Sequence, residues 1–499
     1  MNCYFFRTPV GARYGFDGRT GEIVSFSPSD FDDLQSSLED NRQVEFSDSL
    51  EKIVLDGFFS GSPVERKKAK KVLYKNEVIP LEKFFSQFRT QLILEVTEAC
   101  NLRCRYCIFG EHQAHSFREH SDKLLPDHIA FDAVNEFLMH SVFPHAILFY
   151  GGEPLLEFAL IQRTVHHAEK IAADLNKVPF FGITTNGTLL DEEKIKFFIE
   201  HGFSVLISLD GPKEIHDQHR LYACTSNGTY DDIYNNILKI KSYNGEKGKA
   251  VFGCIATMIP PMCWRERNDF FASIYDDFPV KFCNFLHSDT CKPSTCRNNG
   301  NWQRGDSDDS RELSLLLSEF YDLLIVDPKK AQRRYPLIAL IANSRLGPIH
   351  YRNIRSPNHS VFLHHTCLPG YNKLFCDVNG NYYPCERTYR NKFFYLGNVS
   401  TGFSADNTIK LLDEFHKLGE CEECLACSLC EICFSDIKLD GACNLDQDYF
   451  TKKCHALKQS FKHNIVDYSN LMEKDRTCVD ALLARDDNEL TEGLFFITE

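Results

Sequence analysis

The spacing of hydrophobic and polar positions changes twice along this chain. Residues 1–90 contain short alternating segments separated by turn residues, which predict a small α+β module. Its predicted elements are two strands and two helices: strands at 12–16 and 22–26, and helices at 31–38 and 50–59. We expect this module to bind a ligand or to pack against the rest of the protein.

From residue 91 to about residue 290, apolar strand segments alternate with amphipathic helical segments. The strand candidates are 92–96, 146–150, 180–184, 205–209, 251–257 and 281–286, and the helices between them include 127–139, 155–175 and 191–201. This repeated alternation predicts a parallel sheet with crossover helices. We therefore expect an α/β fold whose main domain, 91–290, is a partial (β/α)6 barrel that binds ligands at the C-terminal strand ends.

The remaining sequence is predicted to be less regular. Residues 291–366 are expected to form a bridging region, with a polar loop at 298–311 and a helix near 313–324. Residues 367–460 are rich in cysteine and have few long apolar runs, so this segment is not expected to build much of a core by packing alone. The C-terminal tail, 461–499, is predicted to be a helix followed by an acidic terminus.

Composition and charge narrow the classes of function. The chain has 499 residues and a net charge of −14, which argues against a nucleic-acid partner bound by broad phosphate neutralisation. No apolar run reaches the ~18 residues that span a bilayer, and the N-terminus lacks the features of a signal peptide. We therefore expect no membrane partner and a cytoplasmic location. In that compartment, the 21 cysteines favour metal or redox chemistry over a disulfide framework.

Three of these cysteines directly follow the first predicted barrel strand. Cys100, Cys104 and Cys107 are spaced so that their thiolates can bind three irons of a [4Fe–4S] cluster. The fourth iron then stays open to a small molecule, as an open position marks a catalytic metal. A zinc site is the alternative, although zinc sites favour paired cysteines with a fourth ligand nearby.

This loop resembles the defining motif of the radical S-adenosylmethionine (SAM) superfamily, and other segments match that family in order. Each of them lies at or after a strand end: Gly151-Gly152-Glu153-Pro154, Thr185-Asn186-Gly187, and Ser208-Leu209-Asp210-Gly211-Pro212 followed by Arg220. The resemblance implies that bound SAM is cleaved to methionine and a 5′-deoxyadenosyl radical, which abstracts a hydrogen atom from a substrate carbon.

The same resemblance implies which residues bind the cofactor. Glu153 would receive its amino group, and Tyr106 would stack near the adenine. Ser208 and Arg220 would contact the ribose or the carboxylate. The full set of expected cofactor-binding residues is Tyr106, Gly151, Gly152, Glu153, Pro154, Asn186, Ser208, Asp210 and Arg220.

The C-terminal cysteines resemble the SPASM extension of radical SAM enzymes, which carries up to two further [4Fe–4S] clusters. The marks of that module are a glycine, Gly380, shortly before a cysteine, and cysteines separated by two and then five residues. Two registers fit this spacing: Cys421, Cys424 and Cys430, or Cys424, Cys427 and Cys433. The expected ligands are Cys367, Cys376, Cys385, Cys421, Cys424, Cys427, Cys430, Cys433, Cys443 and Cys454, and a zinc ribbon is the alternative.

The N-terminal module is similar to the small leader-recognition domain of enzymes that mature ribosomally made peptides. Such domains add the leader as an extra strand, although residues 1–90 could instead only cap the barrel. We therefore expect a precursor peptide with a leader segment as the substrate and a flavodoxin or ferredoxin as the electron donor. The expected reaction is thioether formation.

Three alternatives to a thioether stay open at this point. Two are a carbon–carbon crosslink and epimerisation of a peptide residue. The third is the activity of an anaerobic sulfatase-maturating enzyme, which forms formylglycine and would need a general base near the substrate. Asp276 and Asp277 are the candidates for that base.

Overall fold

The computed structural model describes residues 3–18, 20–40, 47, 71–74, 77–110, 119–243, 250–276, 278–285, 307–352, 367–388, 391–416, 424–426, 429, 430, 432–434, 446–484 and 495–497. The helix predicted at 50–59 and most of the loop predicted at 298–311 lie outside these residues. Asp277 and three expected cluster ligands also lie outside them: Cys421, Cys427 and Cys443.

An antiparallel three-stranded sheet and a helix form the N-terminal part of the fold: β1 (Cys3–Arg7), β2 (Arg13–Asp17), β3 (Glu22–Phe26) and α1 (Pro28–Asp40). The two predicted strands are confirmed, and β1 adds a third that the alternation does not predict. This sheet packs on a C-terminal helix, since the rings of Phe16 and Phe461 lie 5.0 Å apart and the Thr8 hydroxyl donates to Glu473.

A second small sheet follows, with β4 (Lys71–Tyr74) and β5 (Glu77–Pro80), and the chain then forms α2 (Leu81–Gln87). Phe84 and Phe85 of α2 are fully buried, and the ring of Phe84 lies 5.0 Å from that of Tyr371. This contact attaches the segment before the barrel to the C-terminal part of the chain.

Six parallel strands form the barrel sheet and follow one another in chain order: β6 (Arg89–Thr97), β7 (Ser141–Gly151), β8 (Phe180–Thr185), β9 (Ser204–Ser208), β10 (Val251–Met258) and β11 (Val280–Phe285). The predicted parallel sheet is confirmed, with small differences at the strand ends and a longer β7. The strands read as continuous apolar runs because helices cover the sheet.

The helices that connect these strands are α3 (Asp127–His140), α4 (Phe158–Asp174), α5 (Glu192–Glu200), the single turn α6 (Lys213–His216), α7 (Tyr230–Ser242) and α8 (Trp264–Ser273). The helix predicted at 155–175 is divided at its start, where a 3-10 turn, Pro154–Glu157, precedes α4. The Glu153 carboxylate caps this turn by accepting the N–H of Leu155.

The helix predicted near 313–324 is confirmed, but the rest of the described part of 291–366 is more helical than expected. Three helices occupy this region: α9 (Ser307–Val326), α10 (Pro328–Arg334) and α11 (Pro336–His350). The predicted polar loop ends before residue 311, because Asp308 and Asp309 are acidic residues in the first turn of α9, where the helix dipole favours them. α11 is apolar on several faces and buried in the core, so it lacks the one-sided pattern that identifies a surface helix.

The cysteine-rich segment continues the barrel sheet instead of forming a separate layer. Its strands are β12 (Leu374–Cys376), β13 (Asn381–Tyr383), β14 (Gly397–Asn398) and β15 (Gly402–Phe403), and β12 pairs in parallel with β6. All three residues of β12 are buried in the core that the barrel also uses. The expectation that this segment contributes little packing is therefore wrong for the β12–β13 hairpin.

The rest of the described chain is mainly helical: α12 (Ala405–His416), α13 (Gln447–Lys474) and α14 (Arg476–Leu483). A final strand, β16 (Phe495–Ile497), pairs with β4. Among the described helices, none combines the length and the apolar character that crossing a bilayer requires.

Candidate active site

The loop that carries Cys100, Cys104 and Cys107 begins where β6 ends, at the C-terminal edge of the parallel sheet. The backbone N–H of Leu102 donates to the Cys100 Sγ at 3.4 Å, and the N–H of Cys107 donates to the Cys104 carbonyl at 3.0 Å. A neighbouring loop holds the other side, since the N–H of Arg103 donates to the Leu221 carbonyl at 2.9 Å. The cysteine loop is therefore fixed by backbone contacts on both sides.

Gly151 and Gly152 bring the end of β7 against this loop. A Cβ at Gly152 would lie 2.1 Å from the Ala99 carbonyl oxygen, and one at Gly151 would lie 2.3 Å from that of Thr97. The N–H of Gly152 donates to the Thr97 carbonyl at 2.9 Å, and the N–H of Glu153 donates to the Ala99 carbonyl at 2.8 Å. The glycines are needed because two stretches of backbone meet here, one of them belonging to the cysteine loop.

Glu153 is fully buried and connects the ends of β7 and β8. Its carboxylate accepts the Thr185 hydroxyl at 2.6 Å and the N–H of Asn186 at 2.7 Å, besides the N–H of Leu155. Burial raises the pKa of Glu153, and these hydrogen bonds oppose that rise. The Asn186 side chain then donates to Asn101 Oδ1 at 2.8 Å, which joins β8 to the cysteine loop.

Asp210, which follows β9, is the centre of a buried polar network. Its carboxylate accepts the Tyr106 hydroxyl at 2.5 Å, the Arg220 Nε–H at 2.9 Å and the N–H of Thr257 at 2.9 Å. The Arg220 guanidinium lies 5.3 Å from the centre of the Tyr106 ring, and its Nη1 is 4.0 Å from the Cys104 Sγ. Burial opposes ionisation of Asp210, but the charge of Arg220, together with the electrostatic effect of His216 and the hydrogen bonds from Tyr106 and Thr257, outweighs it and lowers the pKa of Asp210 to about 2.

The three thiols of the loop form a set of donors suited to iron. Burial is the largest cause that raises the pKa of Cys100, and the Cys104 and Cys107 thiols raise it further. Burial also raises the pKa of Cys104 to about 12, which the Arg220 charge opposes. A thiol with a raised pKa binds as a thiolate when a cation replaces its proton.

The chemistry of these donors fits an iron–sulfur cluster, because cysteine thiolates are the usual protein ligands of such clusters. A cube of four irons and four sulfides is larger than one ion, so its thiolate ligands stand further apart. The loop therefore fits a [4Fe–4S] cluster with one iron left to another ligand.

A second group of thiols lies on the C-terminal extension of the sheet. The thiols of Cys367 and Cys385 each interact electrostatically with that of Cys433. Burial is the main cause that raises the pKa of Cys385 to about 12. Cys376 stands apart from this group, because it lies within β12 opposite Tyr382, and its Sγ contacts the Asp377 carbonyl at 3.7 Å.

The other expected ligands are distributed around this group. Cys424 and Cys454 are partly buried and pack against the core, and Cys430 is buried. Cys454 lies on α13. The ligand assignment of these three residues stays a prediction.

The comparison with known families identifies the barrel. Residues 94–271 match the family model of the radical SAM superfamily. This range runs from β6 into α8 and contains the three loop cysteines, Glu153 and Asp210. Residues 94–271 are therefore a radical SAM domain. A domain of this superfamily uses a [4Fe–4S] cluster and SAM.

Individual relatives extend this likeness beyond the barrel. A cysteine-type anaerobic sulfatase-maturating enzyme of Clostridium perfringens (strain 13 / Type A) is 25% identical over 392 residues, which cover 74% of this chain and 95% of the relative. A second enzyme of this type, from Clostridium novyi (strain NT), is 37% identical over 161 residues, and the match spans 32% of this chain and only 41% of the relative.

A solved structure shows the same fold. The structure of anSMEcpe with bound AdoMet and the Cp18Cys peptide is matched over 78% of this chain and 98% of its own, with a TM-score of 0.54 and 23% identity. The partial barrel of this radical SAM enzyme and its C-terminal sheet extension thus occur together in a known fold.

The structure gathers the predicted cofactor-binding residues of this radical SAM enzyme around the loop. Gly151, Gly152, Pro154 and Asn186 lie at the ends of β7 and β8, and the buried Ser208 ends β9. The contacts described above join Gly152, Glu153 and Asn186 to the cysteine loop or to one another, and the roles of all these residues toward SAM stay predictions. Asp276 lies elsewhere, before the N-terminal end of β11, in an exposed ion pair with Arg333.

Two residues near the loop are not predicted from the sequence. Arg267 of α8 is buried, and its Nη1 donates to the carbonyls of Asp210 and Thr257. A feature of the sequence could have indicated that Arg267 is buried: it lies three residues after Trp264, on the same face of α8. His120 has no such signal, and its Nε2 lies 3.7 Å from the Cys107 Sγ.

Proposed function

We propose that this radical SAM enzyme modifies a ribosomally made precursor peptide, and that it forms a thioether between a cysteine sulfur and a carbon atom of the substrate. The observation that carries the proposal is the second thiol group of Cys367, Cys385 and Cys433, which lies next to the β12–β13 hairpin of a sheet continuous with the barrel. We further propose that the C-terminal cysteines hold up to two auxiliary [4Fe–4S] clusters.

The chain's own residues prepare the site for radical chemistry. Bound SAM supplies the 5′-deoxyadenosyl radical that abstracts a hydrogen atom from the substrate. Asp210 orients Tyr106 and Arg220, and Arg220 places a positive charge beside Cys104. The side chains of Tyr106, Asp210 and Arg220 are buried, so water is excluded from the contacts between them.

The N-terminal sheet supports a peptide substrate. In the order β1–β2–β3, the strand β3 has β2 as its neighbour on one side, and no described strand pairs with its other edge. An extended peptide can add to such an edge through main-chain hydrogen bonds. We propose that the leader of the precursor peptide binds there.

Formylglycine formation is the second candidate function. It is favoured by the C. perfringens relative, a sulfatase-maturating enzyme whose match covers 95% of its length. That reaction would need a base near the substrate. Asp276 does not meet this need, because it pairs with Arg333 at the end of the barrel opposite the cysteine loop.

The radical reaction is tested with anaerobically reconstituted, reduced protein. We expect the wild type to convert SAM to 5′-deoxyadenosine and the Cys104→Ala variant to form far less. Equal amounts from both proteins would contradict the proposed chemistry. Iron analysis tests the clusters, since three [4Fe–4S] clusters require about twelve irons per chain, and zinc in place of iron would contradict them.

The type of modification is tested by mass spectrometry. Cysteine-containing peptides from short open reading frames beside this gene are coexpressed with the enzyme, and we expect the substrate to lose two hydrogens and one alkylatable thiol per thioether, whereas a carbon–carbon crosslink would keep the thiol. An exchange of the cysteine sulfur for a carbonyl oxygen would instead indicate formylglycine. An unchanged mass with one residue inverted would indicate epimerisation, and either result would refute the thioether.

A further inference from the structure

Lys373 and one of the C-terminal thiols lie at the same end of a hairpin. The antiparallel strands β12 and β13 pair Phe375 with Tyr383 and Cys376 with Tyr382. Lys373 directly precedes β12, and Cys385 follows the end of β13 by two residues. The pairing therefore brings both residues to the open end of the hairpin.

The segment before β12 brings a second thiol to the same place. The backbone forms a bridge between Pro369 and Lys373, and the N–H of Gly370 donates to the Lys373 carbonyl at 3.0 Å. The N–H of Leu368 donates to the Asn372 side chain at 2.6 Å. This tight loop returns the chain on itself, so that Cys367, two residues before the bridge, lies near Lys373.

Electrostatics within this group agree with the backbone geometry. The Glu386 carboxylate is the largest cause that raises the pKa of Lys373, and the thiols of Cys385 and Cys367 raise it further. In return, the charge of Lys373 opposes the rise that burial causes in the pKa of Cys367 and of Cys385. Lys373 is therefore an ammonium ion that faces two thiols from different segments.

We propose that Lys373 sets the reduction potential of the auxiliary cluster bound by Cys367, Cys385 and Cys433, and makes that cluster a better electron acceptor. This inference rests on the proposed function, because it requires a cluster at these thiols. The donor set fits one: three thiols come together from the hairpin and from the C-terminal cysteines.

The physical reason is the change of charge on reduction. A [4Fe–4S] core that accepts one electron from an external reductant goes from the 2+ to the 1+ state, so the whole cluster gains one negative charge. A neighbouring ammonium ion stabilises the more negative state, and charge near a cluster is one of the factors that set its potential. The Glu386 carboxylate has the opposite effect.

The test measures the potential of this cluster separately from that of the barrel cluster. The background is the full chain with Cys100, Cys104 and Cys107 replaced by alanine, reconstituted with iron and sulfide. The protein is titrated with dithionite, and the reduced cluster is followed by electron paramagnetic resonance. In the same background, Cys385→Ser identifies the signal, because that signal should be lost.

Four variants then test the role of charge. We expect Lys373→Met to shift the reduction equilibrium at least tenfold toward the oxidised cluster, which is about 59 mV lower in potential for one electron. Lys373→Arg should keep the wild-type potential. Glu386→Gln should shift it in the opposite direction, and the matched control Lys392→Met, which alters an exposed lysine of the same region, should leave it unchanged.

One outcome would refute the role of Lys373 and leave the cluster assignment intact. In that outcome, Cys385→Ser removes the signal, but the reduction potential of the signal is the same in Lys373→Met as in the background protein. Absence of any iron–sulfur signal in the background variant would refute both the inference and the proposed auxiliary cluster. Formation of 5′-deoxyadenosine by the enzyme with its three loop cysteines would still stand in either case.

Discussion

Asp210→Asn is the substitution that most directly tests the polar network beside the cysteine loop. The change keeps the shape of the side chain but removes the negative charge that pairs with Arg220. The side chains of Arg220 and Asp210 are only 8% and 2% exposed. Removing one partner of such a buried pair costs about 3–5 kcal/mol, because the other charge is left uncompensated.

A surface ion pair between the barrel helix α8 and the following helix α9 gives the matched control. Arg265 and Glu319 form two hydrogen bonds, but their side chains are 43% and 42% exposed. Water screens this pair, so Glu319→Gln should cost about 1 kcal/mol or less. The comparison separates the effect of burial from the loss of a charge.

Hydrogen exchange reports the loss locally, because the N–H of Thr257 donates to Asp210. A loss of about 3–5 kcal/mol corresponds to exchange about two to four powers of ten faster. We expect this change in peptides that contain Thr257 when Asp210→Asn is compared with the wild type by mass spectrometry. Glu319→Gln should change the same peptides about fivefold at most. Equal protection of Thr257 in both variants would refute the idea that Asp210 organises the site.

The pH dependence of the same experiment has a definite sign. The pKa of Asp210 is lowered to about 2 in the fold, whereas an unfolded aspartate titrates near 3.9. The ionised carboxylate therefore contributes its full stability above about pH 4, and that contribution is lost as the pH falls toward 2. The difference between wild type and Asp210→Asn should decrease over this range.

Three further substitutions test other parts of the structure. Gly152→Ala should lower the iron content of the loop while circular dichroism stays unchanged, because its Cβ would lie 2.1 Å from the Ala99 carbonyl; full iron content would contradict the close approach. Cys376→Ala should keep the iron that Cys385→Ser loses, and should cost about 1 kcal/mol of stability for the lost packing; equal iron loss in both variants would assign Cys376 to a cluster. Burial lowers the pKa of His216 to about 3, so this ring gains a proton only on unfolding. The stability of the wild type relative to His216→Gln should fall as the pH drops from about 6.5 to about 4, and a constant difference would show that His216 is already charged in the fold.

Local pattern was sufficient to predict the barrel. Each barrel strand is a short apolar run, and the segments that carry Cys100, Glu153 and Asp210 follow such runs directly. Parallel strands have their C-terminal ends at one edge, so these residues had to lie near each other. Gly380 lies between β12 and β13 with a φ of 78°, a conformation that glycine adopts without strain.

The pairing of strands that are distant in the chain cannot be predicted from the local sequence pattern. β12 pairs with β6, and β16 pairs with β4. Each pair joins segments that are distant in the chain, and the sequence of a strand does not indicate which distant strand it will pair with. The distinction between Cys376 and Cys385 depends on hairpin register, because neighbouring positions on a strand point to opposite faces. Arg267 is not predicted for a related reason, since its contacts are the backbone carbonyls of Thr257 in β10 and of Asp210, two residues after β9.

The parallel pairing of β12 with β6 has a consequence for protein engineering. Residues 92–94 of β6 bond to 374–376 of β12, and the same strand runs on into the cysteine loop. A C-terminal segment exchanged between related enzymes at a junction before residue 374 would bring a foreign strand against β6. Such a chimera would have to match the side chains of β6 as well as the new cysteines. A junction after β15 would keep the native pairing of β12 with β6, but it would also retain the native Cys367 and Cys385.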